Sequence, residues 1–441
     1  MNQASKFDLA IIGLGYVGLP LGLQFAKSGC RVLGLDIDPA KIKEIGAGRS
    51  YIRHIPAEDV SAQVKAGSFS ASSDFSKVKD CEAVVICVPT PLNKNREPDI
   101  SYILKTGEAI APYLKAEGGG QRTEGGGRKK LVVLESTTYP GTTDEDLRKV
   151  LEKGSGLKAG VDFHLAFSPE REDPGNPQSK VAEIPKVVGG LTPACLERAK
   201  ELYGKAIKKL VPVSSTRAAE ATKLMENIFR SVNIALVNEL KIIYGSMGID
   251  IWEVIEAAKT KPFGFMPFYP GPGLGGHCIP IDPFYLTWKA REYGHPTRFI
   301  ELAGEINTAM PDHVVAKVGE ALNTVGKPIK GSKILLLGLA YKADVDDDRE
   351  SPSYVLIEKL EAKGAKVDYH DPYVPVIRPS REHSHLAGRK SVSIDSPCDL
   401  VLISTAHQEF KTHSFAKLVS PLVDTRNCVC SDKRPKMYFQ A

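Results

Sequence analysis

Phe7-Asp8-Leu9-Ala10-Ile11-Ile12-Gly13-Leu14-Gly15-Tyr16-Val17-Gly18 is the stretch that decides the fold. The apolar run over 7–13 reads as a buried strand and leads into Gly-x-Gly-x-x-Gly. Residues 19–28 carry a helical pattern that Gly29 ends, and 31–35 is a second apolar run closing on Asp36. A GxGxxG alone is a weak signal. Between a strand and a helix, with an acidic residue about 20 positions further on, it is the dinucleotide fingerprint. Gly13 takes the tight turn, Gly15 lets a pyrophosphate approach the backbone, and Gly18 lets helix and strand pack closely. The helix N-terminus supplies anion-binding amides. Asp36 is placed to accept from ribose hydroxyls, which favours NAD over its 2′-phosphorylated form. The expected cofactor set here is Gly13, Gly15, Tyr16, Val17, Gly18, Asp36 and Lys41.

Further runs extend the α/β pattern. Residues 83–88 end at Pro89-Thr90-Pro91, and 131–134 end at Glu135-Ser136-Thr137-Thr138. Ligands of open α/β sheets gather at the carboxyl ends of strands, so Thr90, Ser136 and Thr137 either line the cofactor cleft or cap the next helix. Between them, 117–130 is rich in glycine and charge and reads as a surface insertion without chemistry. Residues 163–167 lead to Ser168-Pro169-Glu170-Arg171-Glu172, another strand end carrying carboxylates. The pattern over 215–245 is one long helix on which Glu220, Lys223 and Asn227 share a face. Such a stripe is most often a solvated face, though Asn is a weak helix former. The helix is apolar on several faces, which predicts a partner subunit.

Pro270-Gly271-Pro272-Gly273-Leu274-Gly275-Gly276-His277-Cys278-Ile279-Pro280-Ile281-Asp282-Pro283 mixes four glycines with a lone cysteine. It is either a tight turn around a buried thiol or a loop that holds a ligand against bare amides and presents the thiol to it. Helical patterns at 283–293 and 298–322 follow. From 331 a second α/β pattern begins, with strands at 334–337, 366–369, 400–404 and 422–424 and a helix at 353–363. It reads as a smaller half-repeat of the first domain. Its first turn, Gly338-Leu339-Ala340-Tyr341-Lys342, lacks GxGxxG and so should bind something other than a dinucleotide. Lys342 and Arg349 suit a phosphate or carboxylate, or else belong to a solvated loop.

At 441 residues, 42% hydrophobic and 25% charged, the chain suits a globular protein of two to four domains. A net charge of +5 with interspersed signs predicts no nucleic-acid partner. No run approaches the roughly 20 apolar residues of a membrane helix, and none near the start resembles a signal segment, so no membrane association is expected. Eight cysteines without a CxxC pair fit reduced thiols and a cytoplasmic location, and no metal site is expected at Cys428-Val429-Cys430.

The order of motifs resembles the nucleotide-sugar 6-dehydrogenases, the UDP-glucose/UDP-mannuronate dehydrogenase superfamily, from about residue 7 to about residue 427. The likeness rests on GLGYVGLP at 13–20, ESTTYPGTT at 135–143, SPER at 168–171 and ExxKxxxN at 220–227. It continues through the cysteine loop at 273–283 and LAYKADVDDDRESPS at 339–353. The SPER turn and the stretch 268–290 are most like the branch acting on UDP-N-acetylhexosamines, with UDP-N-acetylglucosamine the implied substrate and UDP-N-acetylmannosamine or UDP-glucose the alternatives. The resemblance implies an N-terminal Rossmann-type NAD domain (1–212), a central helical dimerisation region with the cysteine loop (213–325) and a C-terminal Rossmann-like UDP-binding domain (326–441). A homodimer or larger homo-oligomer is implied.

Oxidising a C6 alcohol to a carboxylate needs two hydride transfers and a way to retain the aldehyde, which a thiolate provides. The resemblance makes Cys278 the nucleophile, with Lys223 and Asn227 stabilising the developing alkoxide. It gives Asp282 a role in holding water, Glu170 that of hydrolytic base with Glu172 as its alternative, and Thr137 that of positioning water. It adds Arg171, Phe268, Tyr269, Gly273, Gly275 and Lys342 to Glu170, Lys223 and Asn227 as substrate contacts, and Arg349 as a cofactor or substrate contact. His277 is left structural. A 6-phosphogluconate-type dehydrogenase would leave Cys278 and the third domain unexplained, and an inactive sensor would be expected to lack the thiol, lysine or asparagine, all present here.

Overall fold

Thirteen strands form two sheets among the described residues. The computed structural model describes residues 6–52, 55–93, 97–115, 129–172, 181–276, 279–380 and 383–441. The chain divides into two compact units, 1–226 with 288–294, and 227–287 with 295–441. His277, Cys278 and most of the 117–130 insertion lie outside the described residues.

The first unit carries β1 (Phe7–Ile12), β2 (Val32–Leu35), β3 (Phe69–Ser72), β4 (Cys81–Ile86), β5 (Leu131–Leu134), β6 (His164–Phe167), β7 (Lys186–Gly190) and β8 (Leu210–Val213). Their order is β3-β2-β1-β4-β5-β6-β7-β8. All neighbours are parallel except β6 and β7. A parallel sheet is covered on both faces, so its strands are apolar throughout rather than alternating. In β1, Leu9 and Ile11 enter one core while Ala10 and Ile12 enter the other. Burying each such Leu or Ile contributes about 1.5–3 kcal/mol.

The second unit holds β9 (Lys333–Leu337), β10 (Lys366–His370), β11 (Leu400–Ile403), β12 (Leu422–Asp424) and β13 (Tyr438–Gln440), all parallel in the order β10-β9-β11-β12-β13. The arrangement β10-β9-β11 repeats β2-β1-β4, and the repeat extends to hydrogen bonds. Gly13 and Gly338 follow the first strand with φ of 90° and 88°. The carboxylate after the second strand then accepts the next amide: Leu14 N–H donates to Asp36 Oδ2 (2.8 Å), and Leu339 N–H to Asp371 Oδ2 (2.6 Å). The half-repeat expected from the sequence is therefore real. The helix Thr216–Ser246 runs through the division between the units, and the helix Arg298–Asn323 belongs to the second.

Candidate active site

The dinucleotide turn is built by steric exclusion. A Cβ on Gly18 would lie 1.9 Å from the Gly13 carbonyl oxygen, and one on Gly13 would lie 2.5 Å from the Cys87 carbonyl oxygen. Nothing lies within 4 Å of the same position on Gly15. Two glycines are thus required by packing, while the third leaves bare backbone open, which is what a pyrophosphate needs at the start of the helix Gly18–Lys27. Tyr16 and Val17, both half-buried, complete the turn, with Val17 capping the helix. Asp36 is buried, and its oxygens accept from the amides of Leu14 and Asp38 and from Lys41 Nζ (2.9 Å). A carboxylate offers about four acceptor positions, so three bonds still leave room for a ribose hydroxyl. These residues fit NAD.

Thr90 is buried, and Ser136 donates to the Val88 carbonyl (2.7 Å), tying the ends of β4 and β5 together. Thr137 is half-buried beside it. The turn that follows is pinned by Glu220, whose carboxylate accepts from Gly141 N (2.7 Å), Thr143 N (2.9 Å) and Thr143 Oγ1 (2.7 Å). Burial pushes the Glu220 carboxyl up to about 8 against the pull of those donors. The Glu220/Lys223/Asn227 stripe is therefore not a solvated face: these residues are 0%, 9% and 2% exposed. Lys223 makes no hydrogen bond or ion pair with any described residue, so its ammonium is available to a ligand oxygen.

Asn227 Nδ2 donates to Asp282 Oδ2 at 2.6 Å, with both side chains buried. The long helix and the end of the cysteine loop are thus joined by a direct hydrogen bond. The loop itself is held by a chain of buried amides: Gly271 N donates to Asn238, which donates to Asn307, which donates to the Ser231 carbonyl. Its glycines serve packing. A Cβ on Gly275 would meet Tyr341 at 2.8 Å and Pro352 at 2.9 Å, and one on Gly273 would meet Pro352 at 3.2 Å. Gly276 N donates to the Arg349 carbonyl (3.3 Å). The loop and the 341–352 segment, remote in sequence, are packed together within the second unit. Phe268 meets Phe229 edge-on, and the exposed Tyr269 donates to Glu256. Lys342 is half-buried, while the exposed Arg349 guanidinium is clamped by Asp347 (2.6 and 2.9 Å).

Glu170 is half-buried after β6, its Oε1 accepting the Arg171 amide (2.7 Å) and the Glu172 amide. Arg171 pairs with Glu226 (2.6 Å) and donates to the Pro185 carbonyl. Sequence reasoning missed what lies beneath: Lys186 Nζ sits 3.1 Å from Glu135 Oε1 and 3.6 Å from Glu170 Oε2. The Glu135 half of this pair was visible only as a motif letter. Arg426 was missed too; its guanidinium packs against Gly271, with Nη1 2.3 Å from where a Cβ would lie, so a side chain there would have to displace it. Lys130, read as part of the surface insertion, is buried and donates to the Val78 and Cys81 carbonyls. Among the described residues no cluster of metal-ligating side chains is present and no helix is long and apolar enough to cross a membrane.

Residues 7–207 match the NAD binding domain of the UDP-glucose/GDP-mannose dehydrogenase family, 217–309 its central domain and 335–431 its UDP binding domain. The chain is 36% identical over 406 residues to a UDP-N-acetyl-D-glucosamine 6-dehydrogenase of Pseudomonas aeruginosa, covering 91% of each chain. Its fold superposes with a TM-score of 0.85 on a UDP-D-ManNAc dehydrogenase from Pyrococcus horikoshii, at 32% identity over 98% of both chains. A UDP-glucose dehydrogenase from Pyrobaculum islandicum gives the same TM-score at 25% identity, covering 100% of this chain and 98% of that one.

Proposed function

The chain belongs to the UDP-glucose/GDP-mannose dehydrogenase family, NAD-dependent enzymes of UDP-sugars, and we propose that within it the substrate is UDP-N-acetylglucosamine, oxidised at C6 to the uronic acid. The mechanistic reading rests on one observation: a nine-tenths buried lysine without a described partner, one helical turn before an asparagine bonded to Asp282. Burying an ammonium without a partner is costly, and a ligand oxygen relieves that cost. NAD, when bound, supplies the acceptor of both hydrides. Lys223 and Asn227 donate to the C6 oxygen as charge builds on it. The Cys278 thiolate adds to the aldehyde, so the second oxidation starts from a thiohemiacetal and leaves a thioester. Glu170 removes a proton from water as its oxygen attacks the thioester carbonyl. The C–S bond breaks, and the thiolate is restored. Thr137 and Asp282 hold water, with Glu172 the alternative base. Arg171, Phe268, Tyr269, Gly273, Gly275 and Lys342 contact the UDP-sugar, and Arg349 the cofactor or substrate.

The division into 1–212, 213–325 and 326–441 serves as NAD-binding, central and UDP-sugar-binding domains. A cytoplasmic homodimer or larger assembly built on the long helix accounts for the exposure of Met225, Phe229, Leu236, Ile242 and Ile243 along it. UDP-N-acetylmannosamine is the second reading, favoured by the fold match to a UDP-D-ManNAc dehydrogenase. Comparison of kcat/KM for UDP-N-acetylglucosamine, its manno and galacto epimers and UDP-glucose tests the assignment. A preference of tenfold or more for the gluco-configured N-acetyl sugar is expected, and a preference for any other overturns it.

A further inference from the structure

A buried carboxylate–ammonium pair lies behind Glu170 and has no place in the chemistry above. Glu135 follows β5 and is fully buried; its Oε1 accepts from Lys186 Nζ (3.1 Å) and from the Tyr203 hydroxyl, while Oε2 has no hydrogen-bond partner among the described residues. Lys186 opens β7, is also buried, and reaches the Pro169 carbonyl (3.5 Å) and Glu170 Oε2 (3.6 Å). Two carboxylates therefore share one ammonium. Buried ion pairs add little to stability compared with apolar residues of the same volume, so stability alone is a poor reason for this one.

Burial pushes the Tyr203 hydroxyl and the Cys87 thiol well up; Glu135 adds to both effects and Glu170 to that on Cys87. The same carboxylates outweigh the burial of Lys186 and hold it protonated. Arg171 is engaged by Glu226 and the Pro185 carbonyl. The Glu170 carboxylate is thus fixed at both ends, Oε1 by the amides of its own turn and Oε2 by Lys186. A recess lined by Val181, Ile184, Pro185 and Ile207 leads to this pair.

We propose that Lys186, anchored by Glu135, is a positioning residue that orients Glu170 for the hydrolytic half of the reaction. It rests on the reading of Glu170 as the base. Removing the ammonium frees Oε2 of Glu170 from its anchor, so the hydrolytic step slows. Glu170 takes no proton in the first oxidation, so the first hydride transfer is expected to proceed.

The test compares the rapid first NADH burst with steady-state turnover in the full-length enzyme with UDP-N-acetylglucosamine. Lys186→Met alone would strand a buried charge, so Glu135→Gln/Lys186→Met is the working variant. It is expected to keep the burst and lose roughly tenfold or more in steady-state turnover. Lys186→Arg keeps the charge and is expected to keep both the burst and most of the turnover. A folded, NAD-binding double variant with wild-type turnover overturns the proposal. If the double variant does not fold, Lys186→Arg decides, and a burst lost together with turnover there overturns it. Glu170→Gln separates the two levels. Wild-type turnover in that variant removes the base reading itself, whereas slow turnover with an intact burst leaves the role of Lys186 to the other variants.

Discussion

Glu220 offers a prediction whose size follows from its surroundings. The side chain is fully buried and accepts three hydrogen bonds from the turn after β5, and its carboxyl is pushed from 4.5 up to about 8. Between these values the folded chain holds a proton that the unfolded chain has lost, so stability falls as pH rises through this window. From pH 6 to 8.5 the folded form crosses about two of those units, roughly 2.7 kcal/mol at about 1.4 kcal/mol per unit. Glu220→Gln lacks this titration. Its amide oxygen can keep the Thr143 bonds, but its NH2 group faces the Gly141 amide, a loss of about 1–3 kcal/mol. The variant should be the less stable at pH 6, and the gap should close or reverse by pH 8.5. Trp288 lies tilted against Tyr139 of this turn (5.0 Å between ring centroids), so its fluorescence in a Trp252→Phe background reports urea unfolding locally. A gap independent of pH would show that Glu220 does not titrate in this window. A gap that widens in favour of wild type would mean that the three donors, not burial, set its charge.

Gly15→Ala should leave thermal stability nearly unchanged while weakening NAD binding measured by calorimetry, because its Cβ position is open. Gly18→Ala should destabilise the first unit by several kcal/mol, since its Cβ would overlap the Gly13 carbonyl. Lys223→Ala should bind NAD normally yet lose roughly 10²–10³ in kcat, read by stopped-flow NADH formation. Asn227→Asp should lower both activity and melting temperature. It places a second carboxylate 2.6 Å from that of Asp282, and Asn227→Ala should be milder.

The fingerprint was legible because its constraints are local: three glycines and one acid fix a turn, a helix start and a strand end. The second sheet was legible for the same reason, through uninterrupted apolar runs such as Ile334 to Leu337. β7 was not. Its run is short and ends in Gly189 and Gly190, where a Cβ would meet the Ser215 carbonyl oxygen or the Leu196 amide nitrogen within 2.3 Å. The burial of Glu220 was hidden because helical spacing says which residues share a face but not what covers it. Lys186 and Glu135 form no local pattern, and only the sheet order that lays β7 near β5 brings them together.

The central claim is a two-step oxidation held on Cys278, and the most direct measurement is the NADH formed per sugar nucleotide consumed, in wild type and in Cys278→Ser. Two NADH per sugar in wild type, with the serine variant failing to complete turnover to the uronic acid, is the predicted result. One NADH per sugar, or full turnover in the serine variant, would contradict it.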